Sequence, residues 1–162
     1  MRNAFILFYI ANVILTLISL EGLPSHVAVH FGPGGEPNGW GSKYTGALFL
    51  LAIQTGLFFM MYYSSRTIFA FHPRWINLPH KDYWLRDENK PRAAKIISEL
   101  MWQLGTALFL FFFIVNLLTI QANLSSPVRF DERMFLTTLA AFFSFIVYWL
   151  VRFAKSFRMP KE

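Results

Sequence analysis

The sequence predicts an all-α integral membrane protein, a four-helix transmembrane bundle with both termini in the cytoplasm and a small ordered extracytoplasmic loop cap. Three observations predict it. The 162 residues are 55% apolar and only 15% charged, where a soluble domain carries about 25% charge. The apolar residues fall into four blocks, each close to the roughly 20 residues needed to cross hydrocarbon. Twelve of the fifteen Lys and Arg residues sit in alternate connecting segments, the bias that sets orientation in membranes. Disorder is excluded by the high hydrophobicity, and a disulfide or thiolate scaffold by the absence of cysteine.

The whole chain reads as one membrane domain, 1–162, with spans at about 4–20, 44–64, 99–121 and 133–152. None carries a Lys, Arg, Asp or Glu in its interior. Backbone groups in lipid must be satisfied within the segment, so each span is a helix. The first follows a single Arg2, and SLEGLPSH after it lacks an A-x-A cleavage pattern, so it reads as an uncleaved helix.

Orientation follows from the loops. Residues 65–98 hold Arg66, Arg74, Lys81, Arg86, Lys90, Arg92 and Lys95, the C-terminal tail Arg152, Lys155, Arg158 and Lys161, and the N-terminus Arg2. The opposite side has Lys43, Arg129 and Arg133. The net charge of +6 is therefore a topology signal, and no soluble basic module for nucleic acid is present. Trp40 and Tyr44 at one border, with Tyr62, Tyr63, Trp102, Tyr148 and Trp149 at the other, suit interfacial anchoring.

Deep ionisable residues mark proton or ion pathways, and the spans have none. Their polar residues are amides and hydroxyls, of which Asn12, Gln54, Gln103 and Asn116 read as packing contacts between helices, each worth about 0.6 kcal/mol on average. Ala52 with Gly56, and Ala140 with Ser144, have the spacing that permits close helix approach. The run Phe109 to Phe113 reads as lipid-facing or packing bulk.

The outer loop 21–43 carries the densest local information. Val27, Val29 and Phe31 alternate with His26, Ala28 and His30 as in a strand, and glycines and prolines follow as turn residues. His26 and His30 are metal-ligand types, but positions four apart in an extended stretch lie roughly 13 Å apart, so no metal site and no cofactor is expected.

The stretch LPSHVAVHFGPGGEPNGWGSK, Leu23 to Lys43, resembles the signature of the domain of unknown function 1648 family, through Leu23, Pro24, Val27, Val29, His30, Phe31, Gly32, Gly35, Pro37, Trp40, Gly41, Ser42 and Lys43. The segment INLPHKDYWL, Ile76 to Leu85, is similar to a second motif of these proteins. The resemblance implies a bacterial inner-membrane protein related to the SdpI immunity proteins, although those are longer.

The cytoplasmic loop 65–98 is basic, and its charge and aromatic residues suit anionic lipid at the membrane surface. Asn89 followed by Pro91 marks the start of the third long helix. No phosphate loop, nucleophile elbow or paired-carboxylate site is present.

These readings lead to a non-enzymatic binding protein of immunity or signalling type. His30, Phe31, Trp40 and Lys43 would contact a ligand or partner outside, and Lys81, Asp82, Tyr83 and Trp84 would dock inside. Its partners would be the bilayer and a membrane protein or a second copy. The alternatives are an accessory subunit of a larger complex, and a small transporter or lipid-acting enzyme.

Overall fold

The computed structural model describes residues 1–159, so Lys161, counted above for orientation, lies outside the described residues. Helix α1 (Arg2–Gly22) leads into a two-stranded antiparallel hairpin, β1 (His26–Phe31) and β2 (Pro37–Ser42). Then come α2 (Lys43–Thr67), two single 3-10 turns, the short α3 (Lys81–Trp84), α4 (Lys90–Leu124) and α5 (Glu132–Ser156). Helices α1, α2, α4 and α5 are long and apolar enough to cross a membrane, with mean hydropathies of 2.0, 1.6, 2.0 and 2.0.

Helix starts follow local chemistry. The Ser42 hydroxyl accepts from Tyr44 N–H at 3.3 Å, and the Asp131 carboxylate from Met134 N–H at 2.9 Å, relieving the unpaired donors of a first turn. Helix α4 starts at Lys90 with Pro91 in its first turn. Asn89 does not cap it; its amide donates backwards to the Tyr83 carbonyl at 3.0 Å.

Helix α4 is the spine. Helices α1, α2 and α5 pack on it, and α1 also meets α2. Its 35 residues span about 52 Å at 1.5 Å per residue, well beyond the roughly 30 Å of hydrocarbon. Its first turns therefore project from the bundle, and loop 68–89 folds back on them. Trp84, Ile76, Ala93, Ile97, Trp149 and Phe157 are all buried in the core formed there. Trp84 Nε1–H donates to the Phe157 carbonyl at 3.0 Å, and Trp149 Nε1–H to the Leu100 carbonyl at 2.9 Å.

A second core lies within the bundle, where Phe5, Met61 and Phe109 are buried together. Phe5 stacks on Phe58 at 5.0 Å and meets Phe109 at 5.5 Å. Of the two readings of Phe109, packing bulk is the one observed. The small residue that admits this cluster is Gly105, whose missing side chain leaves room for the Phe5 ring. Gly56 has open space where a Cβ would stand, so the Ala52–Gly56 pair makes no close approach.

Candidate functional site at the hairpin end of the bundle

The hairpin lies across one end of the bundle and is tied down at three places. At its root, Lys43 Nζ donates to the Leu20 and Leu23 carbonyls at 2.6 and 2.8 Å. The first residue of α2 thus caps the C-terminus of α1, where carbonyls lack partners and positive charge is favoured.

In the middle, Asn123 of α4 reaches β1. Ala28 N–H donates to Asn123 Oδ1 at 2.6 Å, and Asn123 Nδ2 donates to the Ala28 carbonyl at 3.0 Å. Both residues are buried.

At the tip, the loop before α5 closes on the turn. Gly34 N–H donates to Glu132 Oε2 at 2.9 Å, Arg129 Nε to the Gly34 carbonyl at 3.1 Å, and Phe130 N–H to the Gly35 carbonyl at 2.8 Å. Gly34 and Gly35 have φ of +78° and +77°, a left-handed conformation that suits glycine. Gly35 also lies so close to the Phe130 backbone that a Cβ would collide with it.

The strand alternation expected for β1 is broken. Val27 and Ala28, in regular register with Gly41 and Trp40, are both buried, and Val29 is 52% exposed. Val29 is the extra residue of a bulge, opposite no residue of β2, the arrangement that disrupts a ladder locally. The Gly-rich segment expected to be all turn forms strand β2 from Pro37 onward. Gly39 lies opposite His30, where a Cβ would come within 2.9 Å of the His30 Cβ.

These contacts place the outer candidate residues. His30 is exposed and its Nδ1 is hydrogen-bonded to Asn38 Oδ1. Phe31 is half-buried and stacks on Phe130 at 4.9 Å. Trp40 is 48% exposed, its ring parallel to His26 at 6.2 Å. Lys43 is partly buried in the root. Much of the signature thus builds the hairpin, and His30 and Trp40 are the two of these four that offer an exposed surface.

Beneath the hairpin is a cavity of about 260 Å³. Helix α1 walls it from Thr16 to Leu23, α2 from Lys43 to Leu50 and α4 from Phe112 to Asn123, and Val27, Ala28 and Val29 form the roof. The amides below it form a ladder. Asn116 Nδ2 donates to Thr16 Oγ1 at 3.0 Å, Asn12 Nδ2 to the Phe8 and Phe109 carbonyls at 2.8 Å each, and Gln54 Nε2 to Asn12 Oδ1 at 3.4 Å. Gln54 Oε1 is buried without a partner. Gln103 stands half-buried on α4 outside this ladder.

The inner candidates separate. Lys81 and Asp82 are exposed and, with Arg74 and Arg86, line an open hollow. Tyr83 is half-buried against Trp84. Trp84 is 1% exposed, so the expectation of a docking contact there is corrected: it is a core residue of the refolded loop. The ion pair observed nearby is Lys90–Asp87 at 2.7 Å. The hydrogen bond from Lys90 and its charge hold the Asp87 carboxyl below the usual carboxylate range.

Sequence reasoning missed Asn123, Phe130 and Glu132. Asn123 carried one weak signal, a polar residue at the last turn of an apolar helix.

Helical spans, a hairpin clasped over their ends and a cavity beneath it define a multi-pass membrane protein. Residues 7–55 match the family described as domain of unknown function (DUF1648), and over that stretch, α1, the hairpin and half of α2, the chain carries this family's domain. Neither a curated protein nor a solved structure matches it.

Proposed function

We propose that this chain is a non-enzymatic binding protein of the bacterial inner membrane, of immunity or signalling type, with the hairpin outside and both termini in the cytoplasm. The loop charges support that orientation, and the resemblance to the SdpI immunity proteins supports the setting. The observation that carries the reading is the hairpin clasped at root, middle and tip above a cavity. The three attachments hold the hairpin fixed over the cavity, as a largely preformed binding site requires. At the opposite end, Arg74, Lys81 and Arg86 line a hollow with Asp82, and exposed Trp75 lies under Arg74, an arrangement suited to anionic lipid at the cytoplasmic surface.

A second reading, an accessory subunit, is favoured by α5. It packs mainly on α4 and leaves Leu136, Phe143, Val147 and Leu150 exposed, a face another membrane helix could cover.

The test is purification from the native membrane in mild detergent, followed by native mass and identification of what is bound. The wild type is expected to keep a stoichiometric ligand or partner that Asn123→Ala loses. A wild type carrying nothing, with Asn123→Ala matching it in every phenotype, would sink the binding reading. A partner lost on substitution of the α5 face but kept by Asn123→Ala would favour the subunit.

A further inference from the structure

We infer that the cavity beneath the hairpin takes one acyl chain of an outer-leaflet phospholipid, which enters sideways past Phe49, between α2 and α4. The inference rests on the reading of the hairpin end as a binding site and names its ligand. Helices α1 and α2 touch in their other halves, where Tyr9 Oη meets Thr55 Oγ1 at 2.9 Å and Phe5 stacks on Phe58. Toward the hairpin a cavity opens among α1, α2 and α4, with β1 above it. Gly46 and Phe49 line it from the side of α2 turned away from Thr55 and Phe58, at about 100° per residue the side toward α4, and hydrocarbon is what stands at that depth. Phe49, 68% exposed, stands at this rim.

The walls favour hydrocarbon over a polar ligand. Apolar atoms make up most of the lining, with Leu20, Leu50, Phe112, Val115 and Ile120 among the residues that supply them. Four polar side chains among them donate within the protein: Ser19 Oγ–H to the Thr16 carbonyl, Thr119 Oγ1–H to the Val115 carbonyl, Asn123 to Ala28 and Asn116 Nδ2 to Thr16 Oγ1. Satisfied donors gain nothing from a polar guest and lose nothing to an apolar one. Lys43 to Leu50 is eight residues, a rise of about 10 Å along the helix, the length of part of one acyl chain. The volume of about 260 Å³ lies just below the usual range of roughly 300–1,000 Å³ for small-molecule pockets. Lys43 stands at the head of the cavity with two of its three N–H groups on the Leu20 and Leu23 carbonyls, which leaves positive charge facing a lipid phosphate.

The test is reconstitution of the full chain into vesicles containing a phospholipid with a diazirine midway along one acyl chain, irradiation and mapping of the adducts. Adducts are expected to concentrate on residues 16–23, 43–50 and 112–123, and to fall several-fold there in Ala47→Trp while labelling of α5 stays constant. The milder Ala47→Phe gives the same direction if the larger ring unfolds the bundle. Equal labelling of all four long helices, unchanged by either substitution, would overturn the inference. A protein or peptide partner that both Ala47 variants retain would also overturn it, while leaving the binding reading intact.

Discussion

The side-chain amide of Asn123 pairs with both backbone groups of Ala28, so α4 gives β1 the two hydrogen bonds that a third strand would have given. An edge strand otherwise leaves such groups unpaired, and here they are buried. In Asn123→Ala each buried group left without a partner costs about 1–3 kcal/mol. The variant is expected to unfold at lower temperature in detergent and to show faster amide exchange across 26–42. Asn123→Asp keeps an acceptor for Ala28 N–H but loses the donor, and is expected to fall between the two.

Gly105 is the position where added volume does the most harm within the spans. A Cβ there would collide with the Phe5 ring and meet Met61 Sδ at 3.0 Å, and overpacking of this kind costs about 1–3 kcal/mol. Gly105→Val is expected to lower the unfolding temperature, and Phe5→Leu in the same chain to restore part of it. Gly56→Ala, with open space at its Cβ, is expected to be neutral or mildly stabilising. Thermal melts of the three variants check this.

Trp84 and its neighbours in the inner motif are expected to behave oppositely. Trp84→Phe removes the donor to the buried Phe157 carbonyl and destabilises by about 1–3 kcal/mol. Lys81→Ala and Asp82→Ala stay within about 0.5 kcal/mol, as exposed positions usually do. Neutralising Arg74, Lys81 and Arg86 together is expected to weaken association of the loop with anionic vesicles by about 1 kcal/mol per charge. Melts and salt-dependent vesicle sedimentation separate the two effects.

The Asp87–Lys90 pair has a defined pH signature. The folded-state pKa of Asp87 lies below its ordinary value of 3.8, so whatever the pair contributes is complete above that value. It is lost as pH falls through the lowered pKa, because protonation removes the charge that Lys90 holds. Carbon-detected titration of the Asp87 carboxyl is expected to move up toward 3.8 in Lys90→Ala and in high salt, as an exposed pair requires. An unchanged midpoint in both would contradict the assignment.

The four spans were legible because hydropathy is a local property of some 20 residues, and Leu, Phe and Ile dominate each. The start of α4 was legible for the same reason, from Asn89 and Pro91. The side-chain roles were not. Val29 reads as one more paired strand residue until the bulge leaves it opposite no residue of β2, and that bulge depends on a strand eleven residues later. Trp84 reads as an exposed aromatic in a charged segment; only the overhanging turns of α4 and the end of α5 bury it. Asn123 is a lone amide whose partner, Ala28, lies 95 residues away, a distance over which no periodicity carries information. Gly35 reads as a turn glycine, and its tight fit to Phe130 is visible only once the hairpin crosses the bundle.

The clasp at Asn123 and Phe130 lies outside residues 7–55, the stretch that matches the family. The matched stretch therefore depends on α4 and the loop before α5 for hydrogen bonds it cannot make by itself. Expressed alone, α1, the hairpin and the start of α2 would leave Ala28 unpaired and the Gly34–Gly35 turn without its support.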